Sequence, residues 1–211
     1  SIKMNSADFQ KGGFSPEDSI QVAKLFSDSG IDNIEISGGT YEQPRLLGLD
    51  KVSINPKRSE NRKESTIARE AYFLSYAEEI AKVVNIPLMV TGGFRTKEGM
   101  EAALRDGACE IVGVGRPLCA NPYAIKELLS GQIDELPKYE KTLSIGPWWL
   151  SPTSPFRLIQ AINAFSAQAW FYQQIKKMGK GLMPDLNLKP WKAFREDAKA
   201  DQEAIKEYQN F

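Results

Sequence analysis

The sequence predicts an α/β fold built on a parallel sheet, and three observations lead to this prediction. Short apolar segments typical of strands alternate four times with amphipathic segments typical of helices, up to residue 131. The segments between consecutive strands are long enough for right-handed crossovers between parallel neighbours. The last two strand segments are almost continuously apolar, as expected of strands covered on both faces. The segments are IPLMVT at 86–91 and CEIVGVG at 109–115.

The first βα unit consists of a strand at 1–6 and a helix at 15–30. Ser15 is a favourable N-cap, and Pro16 occupies the first helical position, where its missing N–H costs nothing. Gly30 suits the C-terminal end of this helix. These signals predict both ends of the helix.

The second to fourth units follow in the same order. A long polar connection at 38–65 precedes the second helix, in which apolar residues recur at helical spacing, among them Ile67 and Ala71. A basic run in this connection is interleaved with acidic residues and predicts a solvated loop, with contact to a cofactor phosphate as the alternative. The run contains Lys51, Lys57, Arg58, Arg62 and Lys63. The predicted ranges are strands at 31–37, 86–91 and 109–115, and helices at 65–84, 96–107 and 121–131.

The pattern changes after Pro137, and all four tryptophans lie beyond residue 147. A helix at about 155–178 carries a stripe of apolar residues at helical spacing, which favours a helix packed on the body of the protein. A helix that docks on a partner or on a membrane surface is the alternative. The stripe contains Ile159, Ile162, Phe165, Ala169, Tyr172 and Ile175. The charged end of the chain predicts a short exposed helix or a frayed tail.

Composition excludes several classes of function. Lys plus Arg equals Asp plus Glu at 27 each, so no net field recruits nucleic acid or an anionic membrane. No apolar run approaches the roughly 18 residues that a transmembrane helix needs. Histidine is absent, which excludes Ser-His-Asp and Cys-His catalysis and His-ligated zinc, and no metal site is predicted. Cys109 and Cys119 form no Cys-x-x-Cys motif, and they fit a reducing compartment, the cytoplasm or an organellar matrix.

Glycines follow the third and fourth strands at the point where each strand gives way to a helix. Gly92 and Gly93 come after the third strand, and Gly113 and Gly115 end the fourth. Peptide N–H groups at such turns can converge on an anion, and glycine lets the backbone approach it closely. An arginine follows each turn, Arg95 or Arg116, and can add charge-assisted hydrogen bonds. A tight structural turn is the alternative for one such site, but two on consecutive strands predict a phosphate site, as in the last two loops of βα barrels.

The residues also resemble a known family. VTGGFRTKEGM at 90–100 and VGVGRPLCANP at 112–122 are similar to the last two strand ends of the Old Yellow Enzyme-like NADH:flavin oxidoreductases. IKMNSADFQKGGFSPEDS, IDNIEISGGTYEQP and STIAREAYF resemble the fifth and sixth strands and the next helix of that family, and AWFYQQIKKMGKGLMPDLNL resembles its last helix. The resemblance implies a (β/α)8 TIM barrel of which this chain supplies the last four βα units in 1–146, with a C-terminal helix and tail in 147–211.

The resemblance further implies an FMN-dependent enzyme that is reduced by NADH or NADPH and passes hydride to an activated alkene or a similar small-molecule acceptor. Lys3 matches the basic residue beside the N1 and C2 carbonyl of the flavin, where a cation stabilises the reduced state. Many relatives have arginine there, and lysine lacks its planar fork. The other implied cofactor-binding residues are Gly92, Gly93, Phe94, Arg95, Gly115 and Arg116.

The first four strands of the barrel are not in this sequence. The resemblance implies that they carry the substrate-anchoring His-His or His-Asn pair and the proton-donating tyrosine, so the catalytic residues are expected in an N-terminal half on the same or another chain. Four strands alone leave two unpaired edges and an uncovered inner face, which favours association and leaves a homo-oligomer open. The alternative function is a non-catalytic half-barrel subunit that docks within a larger assembly.

Overall fold

The computed structural model of the chain describes residues 1–8, 12–37 and 73–209. The basic run at 51–63 and the predicted start of the second helix lie outside these residues. The chain forms two compact units, one of Ser1–Gly115 with Lys126–Leu136 and the other of Arg116–Ile125 with Pro137–Phe211. The predicted domain boundary between residues 146 and 147 stays a prediction.

Four parallel strands form the sheet of the first unit, and they confirm the predicted α/β class. They are β1 (Ile2–Asn5), β2 (Ile34–Ser37), β3 (Leu88–Thr91) and β4 (Ile111–Gly113), and their order in the sheet is the order in the chain. A sheet that adds each new strand beside the previous one, always in the same direction, is wound as the wall of a βα barrel is wound. A doubly wound sheet would instead reverse its strand order.

Seven α-helices are described. They are α1 (Pro16–Asp28), α2 (Leu74–Ala81), α3 (Lys97–Arg105), α4 (Arg116–Ala120), α5 (Ala124–Leu129), α6 (Arg157–Gly179) and α7 (Pro190–Gln209). The sequence did not predict the short helix α4. The end of the chain forms a helix of 20 residues instead of a short one or a frayed tail.

The predicted ends of α1 are present. The Ser15 side chain accepts a hydrogen bond from the Asp18 N–H, and the Asp18 carboxylate accepts one from the Ser15 N–H, which completes a capping box. Pro16 begins the helix, and Gly30 follows its C-cap with φ 82°. Because both capping partners satisfy N–H groups that the helix leaves open, the sequence specifies this end locally.

The core of the first unit lies on one face of the sheet, between the strands and the helices α1, α2 and α3. Ile34, Ile36 and Val90 point into it from the two central strands and are fully buried. The residues that alternate with the buried ones along each strand point to the opposite face of the sheet. We call it the open face because most of its side chains are partly or fully exposed. The open face contains Lys3, Asn5, Glu35, Ser37, Met89, Thr91, Ile111 and Gly113.

The second unit is built around α6, which packs against α4 and α7. Trp170 is its largest fully buried side chain, and its indole N–H donates to the Leu188 carbonyl at 2.9 Å. Phe171 meets the Trp170 ring edge to face, with centroids 5.1 Å apart. These contacts give the second unit a core of its own.

The buried side of α6 differs from the apolar stripe in the sequence. Within that stripe, Phe165, Tyr172 and Ile175 are exposed by 58%, 41% and 44%. The helix instead buries Asn163 and Gln174. Their amides hold neighbouring loops, since Asn163 bonds the backbone at 145 and 150, and Gln174 both donates to and accepts from the Asp185 backbone. A buried amide is stable where the backbone satisfies it, which apolar periodicity does not reveal.

Among the described helices, none has the length and apolar content that crossing a membrane would require.

Candidate functional site

The predicted anion site begins at the C-terminal ends of β3 and β4, which are neighbours in the sheet. Thr91 pairs in register with Gly113, so the turn at Gly92 and Gly93 leaves the sheet beside the segment that leads to Gly115. Adjacent strands lie about 4.8 Å apart, a separation that one phosphate group can bridge. The structure therefore brings Gly92, Gly93 and Gly115 to the same C-terminal end of the sheet.

The turn after β3 has a backbone conformation that favours glycine. Gly92 has φ 130° and Gly93 has φ 88°, conformations that residues with a Cβ rarely adopt. Neither glycine donates a backbone hydrogen bond to the backbone of another described residue. Consecutive N–H groups in such a turn form a concave cradle for an anion.

Gly113 and Gly115 have different reasons to be glycine. A Cβ on Gly113 would lie 1.9 Å from the Thr91 Oγ1 and 2.8 Å from the Thr91 Cβ, so the Thr91 side chain occupies the space that a larger residue would fill. A Cβ on Gly115 would meet nothing within 4 Å. Gly113 therefore serves the packing of the strands, whereas Gly115 borders open space in which a ligand can lie.

Phe94 and Arg95 follow the Gly92–Gly93 turn and are both buried. The Phe94 ring belongs to the hydrophobic core of the first unit. The Arg95 Nη1 donates to the Phe94 carbonyl at 2.7 Å, and the Arg95 carbonyl accepts from the Leu136 N–H at 2.7 Å. These contacts hold the turn in place, and the predicted contact of both residues with a cofactor stays a prediction.

Arg116 follows Gly115 directly and begins α4 in the second unit. Its guanidinium forms an ion pair with Glu140, with Nη1 and Oε1 3.7 Å apart. Glu140 was not predicted as a partner of Arg116, because nothing in the sequence brings residues 116 and 140 together. An anion bound by Arg116 would share the guanidinium with this carboxylate.

Lys3 lies on the open face of the sheet and is paired. Its Nζ is 2.5 Å from the Glu35 Oε1, and the two residues are register partners on β1 and β2. Sequence reasoning missed Glu35. The signal was present in IEIS, where a carboxylate stands between two buried isoleucines and must therefore point away from the core.

The surroundings of Glu35 hold it ionised. Partial burial opposes its ionisation, but the hydrogen bond and charge of Lys3, with the nearby Thr91 hydroxyl, outweigh this effect and lower the pKa of Glu35. The buried Thr91 hydroxyl approaches the carboxylate, although it makes no hydrogen bond of standard geometry among the described residues. The open face thus carries a fixed positive and a fixed negative charge side by side.

The cysteines show no sign of redox chemistry. Burial raises the pKa of both the Cys109 and the Cys119 thiols, so neither is activated as a thiolate. Across the residues with a described placement, no cluster of three or more acidic or cysteine side chains is arranged to hold a metal ion.

No protein-family model matches the chain. The chain is 32% identical over 165 residues to the NADH-dependent flavin oxidoreductase iccE of Talaromyces variabilis, covering 76% of this chain and 37% of that protein. It is 41% identical over 114 residues to iliE of Hypocrea jecorina, a protein of the same description, covering 53% of this chain and 26% of the relative.

A bacterial relative extends the comparison. The chain is 30% identical over 178 residues to the NADH oxidase of Thermoanaerobacter brockii, covering 84% of this chain and 25% of the relative. The chain thus spans between a quarter and little more than a third of the length of these curated relatives. Proteins named NADPH dehydrogenase also match. These relatives confirm the predicted resemblance: the chain is homologous to part of the Old Yellow Enzyme-like NADH:flavin oxidoreductases.

Proposed function

We propose that the chain is the FMN-phosphate-binding part of a flavin-dependent NAD(P)H oxidoreductase. The observation that carries the proposal is the register of Thr91 with Gly113, which sets the Gly92–Gly93 turn beside the path to Gly115. The relatives support the cofactor class, because they are named NADH-dependent flavin oxidoreductases and NADPH dehydrogenases.

The chain's own residues fit a flavin mononucleotide. The N–H groups of Gly92 and Gly93 would donate to the phosphate, and the open space at Gly115 would admit it. Arg95 is the proposed source of positive charge beside the phosphate turn, and Phe94 would support the turn from the core. Arg116 is proposed as a further phosphate contact on the resemblance alone. Lys3 would place its ammonium beside the N1 and C2 carbonyl of the flavin, where reduction adds negative charge.

When bound, FMN supplies hydride chemistry, taking hydride from NADH or NADPH and giving it to an acceptor, which we propose to be an activated alkene or a similar small molecule. The residues that anchor the acceptor and donate a proton would come from strands outside this chain. The open face and the two sheet edges support this, because a βα barrel covers its inner face and leaves no free edge. These strands would belong to the same or another polypeptide in a reducing compartment, the cytoplasm or an organellar matrix.

A second candidate is a half-barrel subunit without catalysis that docks within a larger assembly. The exposed apolar residues of α6 favour this candidate, since they form a surface that another protein can cover. In this case the strand-end turns would serve the fold alone.

Flavin content distinguishes the two candidates. The purified chain, and the chain fused behind the first four βα units of the Talaromyces relative, should be examined by absorbance for bound flavin, which absorbs near ~450 nm. We expect stoichiometric flavin in at least the fusion, with bleaching when NADH or NADPH is added without oxygen. A Gly92→Ala, Gly93→Ala double variant should lose the flavin, while a Lys24→Ala variant, altered at an exposed position on α1, should keep it. Absence of flavin from both the chain and the fusion would overturn the proposal.

A further inference from the structure

A charged pair lies on the open face across β1 and β2, and the proposed function uses only one of its members. Lys3 and Glu35 are register partners, and their Nζ and Oε1 atoms are 2.5 Å apart. The Lys3 side chain is 54% exposed, whereas that of Glu35 is 20% exposed. The carboxylate is therefore the more firmly held partner, and the lysine is the one that can face a ligand.

Glu35 also stands between the two ends of the proposed flavin site. It lies on β2 with Lys3 as its register partner on β1 and Met89 as its register partner on β3, and the Thr91 side chain, two residues beyond Met89, approaches its carboxylate. Thr91 is the last residue of β3 and immediately precedes the Gly92–Gly93 turn. One carboxylate thus adjoins both the residue proposed for the flavin ring and the residue that begins the phosphate turn.

The backbone fixes the location of Glu35. Ile34 and Ile36 on either side of it are completely buried in the core, so the strand cannot rotate the carboxylate away without exposing them. Lysine has a flexible four-carbon stem and, unlike arginine, no rigid fork to define its direction. A lysine that serves where relatives use arginine therefore gains from a fixed anionic partner.

We propose that Glu35 is a positioning residue for Lys3, fixing its ammonium on the open face and offsetting part of its charge toward the flavin. This inference rests on the proposed function, because Lys3 faces a flavin only if one binds. The offset has a definite consequence. With Glu35 in place, the positive potential at the flavin is weaker than a lone ammonium would produce. The protein therefore favours reduced over oxidised FMN less strongly than it would without the Glu35 carboxylate.

The first test needs no flavin. Glu35→Gln keeps the shape of the side chain and removes its charge. The rate at which an amine-acetylating reagent modifies Lys3 should be measured by mass spectrometry against Lys24, an exposed lysine on α1. We expect Lys3 to react about two- to fivefold faster in the variant relative to Lys24, the range for loss of a partly exposed ion pair. Unchanged relative labelling would overturn the inference.

The second test uses bound flavin. The affinities for oxidised and reduced FMN should be compared in the wild-type chain, Glu35→Gln, Lys3→Met and the double variant, in the fusion described above. Glu35→Gln should shift the ratio of affinities toward reduced FMN by about twofold or more, and Lys3→Met should shift it the other way. In the Lys3→Met background, Glu35→Gln should keep only the direct effect of its own charge on the flavin and lose its effect through the ammonium, so the two shifts should not add fully.

The outcomes separate this inference from the proposed function. If no protein in the series binds flavin, the proposed function fails, and the positioning role fails with it. If flavin binds and labelling of Lys3 changes, but the affinity ratio of Glu35→Gln equals that of the wild type, the pair is merely structural and the inference fails alone. A shift of the ratio with unchanged affinity for oxidised FMN supports it, because general loosening of the fold would weaken both states.

Discussion

Replacement of Gly113 by alanine tests the packing of the two strand ends on which the site depends. A Cβ at this position would lie 1.9 Å from the Thr91 Oγ1, 2.7 Å from the Met89 Cε and 2.8 Å from the Thr91 Cβ. The methionine end is flexible and can move aside. The Thr91 Cβ is bonded to the backbone of the paired strand, so relief of that contact requires β3 and β4 to separate locally.

The size of the effect follows from these overlaps. An added methyl group in a packed region costs about 1–3 kcal/mol when neighbouring backbone must shift. In a protein of this size each kcal/mol lost from the free energy of unfolding lowers the melting temperature by about 2–4 °C. We therefore expect Gly113→Ala to melt roughly 2–12 °C below the wild type, the product of those two ranges. The same substitution at Gly115, where a Cβ meets nothing within 4 Å, is the matched control.

Thermal unfolding followed by circular dichroism measures both variants. Gly115→Ala should stay within about 0.5 kcal/mol of the wild type, as surface substitutions usually do. Adding Thr91→Ala to Gly113→Ala removes the hydroxyl that makes the closest contact and should restore part of the loss. If Gly113→Ala and Gly115→Ala have the same melting temperature, Gly113 does not pack against Thr91, and the described register of the strand ends is wrong.

Three other predictions concern the turn, the first helix and the charged pair. Gly93→Ala should destabilise the protein by about 1–2 kcal/mol, because φ 88° is strained for alanine, and denaturant titration should show it. Ser15→Ala should cost about 1 kcal/mol through loss of the N-cap, measured in the same way, and an unchanged midpoint would argue against the capping box. Because its surroundings lower the pKa of Glu35 in the folded state, its stabilising effect is complete above the ordinary pKa of 4.5 and is lost as pH falls through the folded pKa. Lys3→Met should remove this acid-dependent loss, and NMR titration of the Glu35 carboxyl should show its pKa rising.

Local signals in the sequence predicted the units of the fold well. The strand segments alternate with helices whose ends are marked by capping residues, as at Ser15 and Gly30. Such signals act within a few residues and need no knowledge of the rest of the chain. The adjacency of β3 and β4 followed from the same alternation, since consecutive strands of a parallel sheet are usually neighbours.

Contacts between distant residues explain what the sequence did not reveal. The pairing of Arg116 with Glu140 and the reason for glycine at 113 both depend on side chains brought together by the fold. On α6 the apolar pattern indicated only part of the buried face, because Asn163 and Gln174 are buried by hydrogen bonds to loops that periodicity cannot detect. Glu35 differs from these residues, because its position between two apolar residues of a strand is a local signal that the sequence does contain.

The central claim, that backbone amides at the ends of β3 and β4 hold the phosphate of FMN, is tested most directly by calorimetric comparison of FMN with riboflavin. Riboflavin carries the same ring system without the phosphate. We predict that FMN binds at least ~10-fold more tightly, equivalent to about 1.4 kcal/mol, and that Gly92→Ala, Gly93→Ala reduces this preference. Equal affinity for the two flavins, in the chain and in its fusion to the preceding strands, would contradict the account.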